Sequence, residues 1–403
     1  MIMIIIELLL VLKYNFAEQE LSRLKEENLY RKLKRISLQQ HSCQAIVNGK
    51  KAINLSSNDY LGLSEDKSVL TETKKQLVRI SQCSSRLMSG NSVVIEELER
   101  NLASHRGTES SLVYPTGYLA NMGVISVLGD KDCIIFSDEL NHSSIIDGCR
   151  LSGANVRVFN HNDMQHLEEL IQSASTKRKI VITEGIFSMD GDMSNLQQIC
   201  SIAKQHDVIT IVDDAHGDFI FGASSRSSPF SGVPFYLGVN DDIDIHISSL
   251  SKGLGCFGGY VATTKMIRNL LINKSRQFIY TSALPDHLCV SALSAMRKAT
   301  KGNLQKKLFD NITFMSNRLF QLGFSLKESG SQIIPVIIGD EKLTIDFSNL
   351  LLDNGIFVHA VRYPTVRKGS ARLRISITAS HNKNQLISAV DSFETFGKKL
   401  KII

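Results

Sequence analysis

Apolar runs and helical spacings alternate along most of this chain. Continuously apolar, β-branched runs fall at 111–114, 133–137, 155–159, 179–184, 208–213, 244–249 and 258–263. Helical repeats of apolar positions occupy 117–129, 143–152, 163–174 and 195–206 between most of them. Strands without polar alternation are buried on both faces, so the pattern predicts an α/β fold with a largely parallel sheet covered by helices on both sides. Ligands of such a sheet bind beyond the carboxyl ends of its strands. The last run differs, because only SLSKGLGCFG separates it from its predecessor. That segment is too short for a helical crossover, and antiparallel pairing is expected.

Outside this block the spacing changes. Leucines and charges recur helically from Glu18 to Arg35, predicting an amphipathic arm that ends near Ser37. A strand pair is expected at about 44–55, turned at Asn48-Gly49, a dipeptide suited to positive φ. SSNDYLGL (56–63) reads as a loop, and helices are expected at 66–80 and 93–105. Beyond Pro285 helical spacing runs to about Leu322; mixed elements at 333–338, 343–354, 356–361 and 372–378, with a last helix from 383, indicate a smaller α+β unit. The expected organisation is an N-terminal arm with short strands (1–60), a large domain (61–285) and a small C-terminal domain (286–403), without repeats or low-complexity linkers. The first twelve residues, MIMIIIELLLVL, are too short to span a bilayer, contain Glu7, and lack a basic leader or cleavage site. They read as a packing or interfacial arm, or as an over-extended start, of a cytoplasmic protein with no transmembrane segment.

Composition narrows the classes. With 403 residues, 43% of them hydrophobic, the chain can bury a large core. The net charge of +6 is mild, and basic residues are scattered apart from Arg31, Lys32, Lys34, Arg35 and the C-terminal lysines. That argues against a nucleic-acid partner and is compatible with an anionic substrate such as a coenzyme A thioester. Seven cysteines, at 43, 83, 133, 149, 200, 256 and 289, contain no C-x-x-C pair. They fit reduced thiols in a cytosol better than a disulfide framework or zinc site.

The segment between the last two runs carries one lysine, Lys252, preceded by hydroxyls at Ser248, Ser249 and Ser251 and followed by Gly253, Gly255, Gly258 and Gly259. Backbone amides left uncovered by side chains can hold a phosphate and present an amine beside it. The letters from Gly253 to Gly258 satisfy G-x-G-x-x-G, but a dinucleotide fingerprint opens a helix and this one enters a strand. Lys252 is instead a candidate for a Schiff base with pyridoxal phosphate. The other strand ends are polar as well: Gly117-Tyr118 opens a helix, His142 stands at a helix start, Glu184 and Ser188 follow a strand, and Asp213 and His216 lie in DDAHG. An aspartate closing the apolar strand VITIVDD needs hydrogen bonds or a cation, and a protonated pyridine nitrogen would serve. A metal reading of D-D-A-H lacks the accompanying histidines, and no metal is expected.

Taken together, NDYLGL (58–63), SSRLMSGN (84–91), PTGYLAN (115–121), EGIFSMDGD (184–192), VDDAHG (212–217), SLSKGLGCFGGYVA (249–262) and GSARLRISITASH (369–381) resemble the pyridoxal-phosphate α-oxoamine synthases. These enzymes join an amino acid to an acyl thioester with loss of CO2. The resemblance runs from about Leu29 to His381 and implies transferase fold type I and a homodimer with shared active sites. It implies that Lys252 carries the cofactor and moves the Cα proton, that Asp213 pairs with the pyridine nitrogen, that His216 bonds the ring oxygen, and that His142 stacks on the ring. Gly117, Tyr118 and Ser249 match phosphate-contacting positions, and Thr281 matches a residue reaching the phosphate of the neighbouring subunit. Ser188 is expected near the ring oxygen, Asn58 in the substrate cleft, and Arg374 on the amino-acid carboxylate, which its fork suits.

Within the family, Arg362 in VHAVRYPTVRKGSARLR and Arg31 in LYRKLK resemble the branch that condenses L-alanine with a pimeloyl thioester, carried by coenzyme A or an acyl-carrier protein, on the way to biotin. The chain departs from the usual pattern at Asp218-Phe219, where Thr-Gly is common, at Val366-Arg367, and at Ile95. Tyr363, replacing a proline, is similar to the glycine-using branches, so glycine or serine remains an alternative substrate. Two remoter alternatives are a silent membrane-tethered partner subunit and a nicotinamide oxidoreductase.

Overall fold

The computed structural model describes residues 2–38, 43–176, 178–222, 229–327 and 329–403. The chain opens with helix α1 (Ile2–Glu26), followed by the short strands β1 (Ile36–Leu38), β2 (Gln44–Val47) and β3 (Lys50–Asn54). The amphipathic arm expected to continue to Ser37 therefore stops at Glu26. Asn28 turns left-handed (φ 58°), the amides of Leu29 and Tyr30 bond back to the Leu24 carbonyl, and the chain leaves extended. Pairing with the hairpin outcompetes helical propensity here, since Arg35 and Asn48 exchange two hydrogen bonds and β1 lies antiparallel on β2. The β2–β3 turn uses Asn48 (φ 51°) and Gly49 (φ 86°), as that dipeptide predicts.

Helices α2 (Lys67–Lys75) and α3 (Val93–Arg106) lead into the central sheet. The helix expected to reach residue 80 ends at Lys75; Leu77, Val78 and Ile80 beyond it are exposed. The sheet comprises β4 (Ser110–Tyr114), β5 (Cys133–Asp138), β6 (Asn155–Phe159), β7 (Arg178–Glu184), β8 (Ile209–Asp213), β9 (Ile245–Ser249) and β10 (Gly259–Thr263), in the order β4-β10-β9-β8-β7-β5-β6. Parallel pairing holds from β9 to β6, whereas β10 runs antiparallel to both β9 and β4. Alternate residues of one strand feed separate cores: Ile134 and Phe136 face one apolar cluster, Cys133 and Ile135 the other. Both faces are thus buried, which is why these strands lack polar alternation.

Helices α4 (Gly117–Leu128), α5 (Ser143–Ser152), α6 (Met164–Gln172) and α7 (Leu196–Gln205) connect the parallel strands, and α8 (Val233–Tyr236), α9 (Lys265–Lys274) and α10 (Arg276–Ile279) flank the last two. Helices α11 (Asp286–Ala299) and α12 (Asn303–Gln321) precede a three-stranded sheet of β11 (Ile333–Gly339), β13 (His359–Val361) and β14 (Ala371–Ser376), ordered β11-β14-β13. Helix α13 (Glu341–Asp353) crosses it, β12 (Ile356–Phe357) runs parallel to β3, and α14 (Lys383–Lys399) closes the chain. Two bonds set the loop after β3 against the end of β14: Ser376 N to Leu55 O, 2.8 Å, and Ala379 N to Tyr60 O, 2.7 Å. Among the described residues no helix is long and apolar enough to cross a membrane, and no acidic, histidine or cysteine cluster could hold a metal.

Two polar clusters brace the sheet. Arg106, fully buried, reaches Asp214 (2.9 Å), Asp218 (3.0 Å), the Tyr260 hydroxyl (2.9 Å) and the Ser231 carbonyl (2.5 Å). His105 bonds Asp218 at 2.8 Å and stacks on Phe219, ring centroids 4.0 Å apart, with Phe219 itself left-handed at φ 62°. The Asp218-Phe219 departure is thus built into the core. Burial raises Asp214, and the Arg106 guanidinium does not fully offset it, leaving that carboxyl at about 7. Asp218 sits at about 2, because Arg106 and His105 overcome the opposing effect of burial.

The second cluster is His161, bridged between Asp138 (3.0 Å) and Asp192 (2.6 Å). Burial disfavours its imidazolium, but the hydrogen bonds and charges of the two carboxylates prevail and push it up to about 9. A pKa raised on folding adds stability that is fully present below the unfolded value of about 6.5 and is lost as pH rises through 9. The expected loss is on the order of 1 kcal/mol once solvent screening of a partly exposed ring is allowed for. Thermal midpoints should fall between pH 7 and pH 10, and His161→Gln should flatten that slope; equal slopes would disprove the assignment.

Candidate active site

The carboxyl ends of β7, β8 and β9, the amino end of α4, and β14 converge on Lys252. Its loop is tight: Leu250 N bonds Gly258 O (3.0 Å), Cys256 N bonds Leu250 O (2.8 Å) and Gly255 N bonds Lys252 O (3.0 Å). Gly255 is left-handed (φ 60°), and a Cβ there would lie 2.5 Å from the Ser64 amide, so the loop backbone presses on the segment that follows Tyr60.

Lys252 Nζ lies 3.0 Å from His216 Nε2, and His216 Nδ1 lies 2.7 Å from the Tyr60 hydroxyl. Tyr60 continues to Asn58 Oδ1 at 3.1 Å, which also accepts from Arg374 Nη1 at 3.2 Å. Arg374 further donates to the Ser188 carbonyl (2.6 Å) and the Ser376 hydroxyl (2.7 Å). One chain of contacts therefore joins five of the expected site residues: Lys252, His216, Asn58, Arg374 and Ser188.

A second group surrounds Asp213. Its Oδ2 accepts from Asn121 (2.6 Å) and its Oδ1 from the Ala215 amide (3.0 Å). Asn121 also bonds the Ser144 hydroxyl, which meets His142 Nδ1 at 2.8 Å; His142 caps α5. Tyr118 lies edge-on to His142, ring centroids 6.1 Å apart, and its hydroxyl bonds Asp147. A third group is formed by Gly117 at the start of α4, capped by Thr116, and by Ser249, whose hydroxyl meets that of Ser251 at 2.7 Å. A Cβ on Gly117 would lie 3.2 Å from the Ser249 Cβ, so helix terminus and hydroxyls share one corner.

Three expected residues lie apart. Arg31 bonds Thr365 at 3.2 Å and Arg362 bonds the Asn28 carbonyl, both at the outer loop before β14. Thr281 lines a small cavity with Pro115, Tyr114 and Phe278; among the described residues it hydrogen-bonds no other site residue.

Charge is distributed unevenly. Burial pulls Lys252 below the ordinary lysine value, opposed by Asp213 and Glu184 and aided by Arg374. Burial and the Lys252, Arg374 and His142 charges hold His216 well below the usual imidazole range. Burial and the neighbouring Asp213 raise Glu184 well above the carboxylate range, and its buried Oε1 has no hydrogen-bond partner among the described residues. Tyr60 and Asn121 both stand inside quoted motifs, yet a loop aromatic and a helical asparagine gave no separate signal, and Glu184 was visible only as a polar strand end. Only the position of Asn121 one turn after Gly117, on the same helix face, offered a hint.

The donor set fits pyridoxal phosphate. A helix N-terminus with adjacent hydroxyls suits the phosphate, Asp213 offers a carboxylate for a pyridinium, Lys252 offers an amine of lowered pKa for an aldehyde, and His216 stands beside that amine.

Comparison with known proteins agrees. The chain matches the Aminotransferase class I and II family over residues 50–393. It is 39% identical to the 8-amino-7-oxononanoate synthase of Thermoanaerobacter pseudethanolicus, over 96% of this chain and 98% of that one. It is 40% identical to the 8-amino-7-oxononanoate synthase of Citrifermentans bemidjiense, over 96% and 99%. A serine palmitoyltransferase variant from S. paucimobilis, solved with a pyridoxal phosphate–myriocin aldimine, superposes with a TM-score of 0.91 at 28% identity, covering 98% of this chain and 100% of that one. With the lysine, the aspartate and the helix-terminal corner already in place, these matches mean that the chain belongs to the class I and II aminotransferase family, as a pyridoxal-phosphate-dependent acyltransferase of the α-oxoamine synthase type.

Proposed function

We propose that this enzyme condenses L-alanine with a pimeloyl thioester, releasing CO2 and the thiol carrier and forming 8-amino-7-oxononanoate for biotin synthesis. The observation that carries the reading is the cationic surround of His359, an exposed residue at the start of β13 to which Lys34, Arg362, Arg374 and Arg31 all bring their charges. Arg374, cross-strand from His359, suits the carboxylate of the amino acid. The outer arginines suit a second anion, such as the far carboxylate of a pimeloyl chain or the phosphates of its carrier. Similarity to 8-amino-7-oxononanoate synthases across the whole chain supports the same substrates.

When bound, pyridoxal phosphate supplies an aldehyde and an electron-withdrawing ring that stabilises negative charge at the amino acid's Cα. The residues of this chain do the rest. Gly117, Tyr118 and Ser249 hold the phosphate, Asp213 keeps the ring nitrogen protonated, and His142 and Ser188 bound the ring. Arg374 and Asn58 orient the amino acid, and the Lys252 amine takes and returns the Cα proton. Thr281 serves the neighbouring active site of a cytoplasmic homodimer. In support of that assembly, Leu87, Met88, Phe257 and Tyr280 are exposed apolar residues on segments joined through the Ser84–Ala283 and Ser85–Ser282 contacts and the approach of Gly258 to Leu284.

The test is the visible absorbance of the cofactor-loaded enzyme titrated with L-alanine, glycine and L-serine, followed by product analysis with pimeloyl-coenzyme A. Tightest response to alanine, with 8-amino-7-oxononanoate formed, is the expected outcome. A preference for serine or glycine would transfer the substrate assignment to another branch, toward which the likeness to serine palmitoyltransferase points.

A further inference from the structure

The contacts between Arg374 and Lys252 have a direction that donor and acceptor chemistry fixes. A guanidinium only donates, so Asn58 must turn its oxygen toward Arg374 Nη1. That same oxygen lies 3.1 Å from the Tyr60 hydroxyl, and two oxygens in contact require a proton between them, which only Tyr60 can supply. With its one proton committed to Asn58, the Tyr60 oxygen can only accept from His216 Nδ1, 2.7 Å away. A neutral imidazole with its proton on Nδ1 presents a lone pair at Nε2, and Nε2 stands 3.0 Å from Lys252 Nζ. Tyr60 is fully buried, with its ring tilted against that of His216 at a centroid distance of 5.9 Å. The His216 backbone carbonyl is held separately by Gln332, at 2.7 Å.

We infer that Tyr60 is a positioning residue that transmits the fixed polarity of Arg374, through Asn58, to His216, holding it as the Nδ1–H tautomer whose Nε2 accepts a hydrogen bond from Lys252. The carboxylate-binding end of the site thereby sets the hydrogen-bonding state of its amine. Charged and titratable groups facing His216 are Lys252, Arg374 and His142, all of which disfavour a second proton on the ring. The neutral form required by the relay is therefore the one the surroundings favour.

This inference rests on Lys252 as the working amine, but not on which amino acid the enzyme uses, and its test is made without cofactor or substrate. Protein labelled with 15N in its histidine rings is examined near neutral pH by long-range 1H–15N correlation, with His216 assigned by loss of its signals in His216→Asn. The wild type should show the Nδ1–H pattern. Tyr60→Phe, which keeps the ring packing and removes only the hydroxyl, should shift His216 toward Nε2–H. In the loaded enzyme the same variant should lower kcat about tenfold, the scale of an outer hydrogen bond to a working histidine, while leaving the amino-acid KM nearly unchanged. An Nε2–H pattern in the wild type overturns the inference, as does a Tyr60→Phe spectrum identical to it. Should the variant not fold, the wild-type spectrum alone decides.

Discussion

Lys252→Ala is expected to abolish the lysine-dependent visible absorbance of the protein and to lower turnover by about 10³-fold or more, the combined scale of a lost covalent anchor and a lost proton carrier. Lys252 reaches into the site from a loop pinned at Leu250, Cys256 and Gly258. Its neighbours are matched to an amine that must alternate between charged and neutral: Asp213 and Glu184 favour the ammonium, whereas burial and Arg374 favour the free base. Alanine removes that cation and leaves both carboxylates, so Glu184, already raised by burial, should become still harder to ionise. The cofactor's other holding groups remain, and pyridoxal phosphate should still bind, with the absorbance of the free aldehyde. Retention of the wild-type band in Lys252→Ala would refute the central assignment.

Arg106→Met is expected to cost about 3–5 kcal/mol, because it strands two buried carboxylates at once. Asp214 and Asp218 have no exposure through which water could replace the guanidinium, and Tyr260 would lose the donor at 2.9 Å. Asp214, at about 7 even with Arg106 present, would be driven to the neutral acid. Adding Asp214→Asn and Asp218→Asn to the same chain should recover part of the loss, since neutral side chains of similar shape need no counter-ion. Thermal or chemical denaturation of the three proteins measures this; a single variant as stable as the wild type would show that the cluster is merely tolerated.

The central sheet was legible because burial on both faces leaves a signature that short windows capture: Ile134, Ile135 and Phe136 are all inside, on alternating sides. The end of α1 was not, because residues 31–35 are helix-compatible in isolation and are drawn out by a hairpin whose hydrogen bonds come from Asn48. The same division applies to the site. Asp213 and Lys252 announced themselves as charges where an apolar strand ends or a glycine loop begins. Tyr60 could not, because its partner His216 lies 156 residues away in sequence, and no local pattern distinguishes a tyrosine that packs from one that passes on a hydrogen bond.

Strand β10 also shapes how the molecule must be made. In the central sheet β4 is an edge strand whose single neighbour is β10, yet β10 is the last of the seven in chain order. A ribosome adding roughly 5–20 residues per second reaches Gly259 on the order of ten to thirty seconds after Tyr114 has been added. Throughout that interval the apolar segment Ser110–Tyr114 waits without its ladder, an exposed edge of the kind that recruits other chains. The strand that completes the sheet is also the one that closes the Lys252 loop, so nascent chains acquire protection from aggregation and a closed lysine loop in the same event.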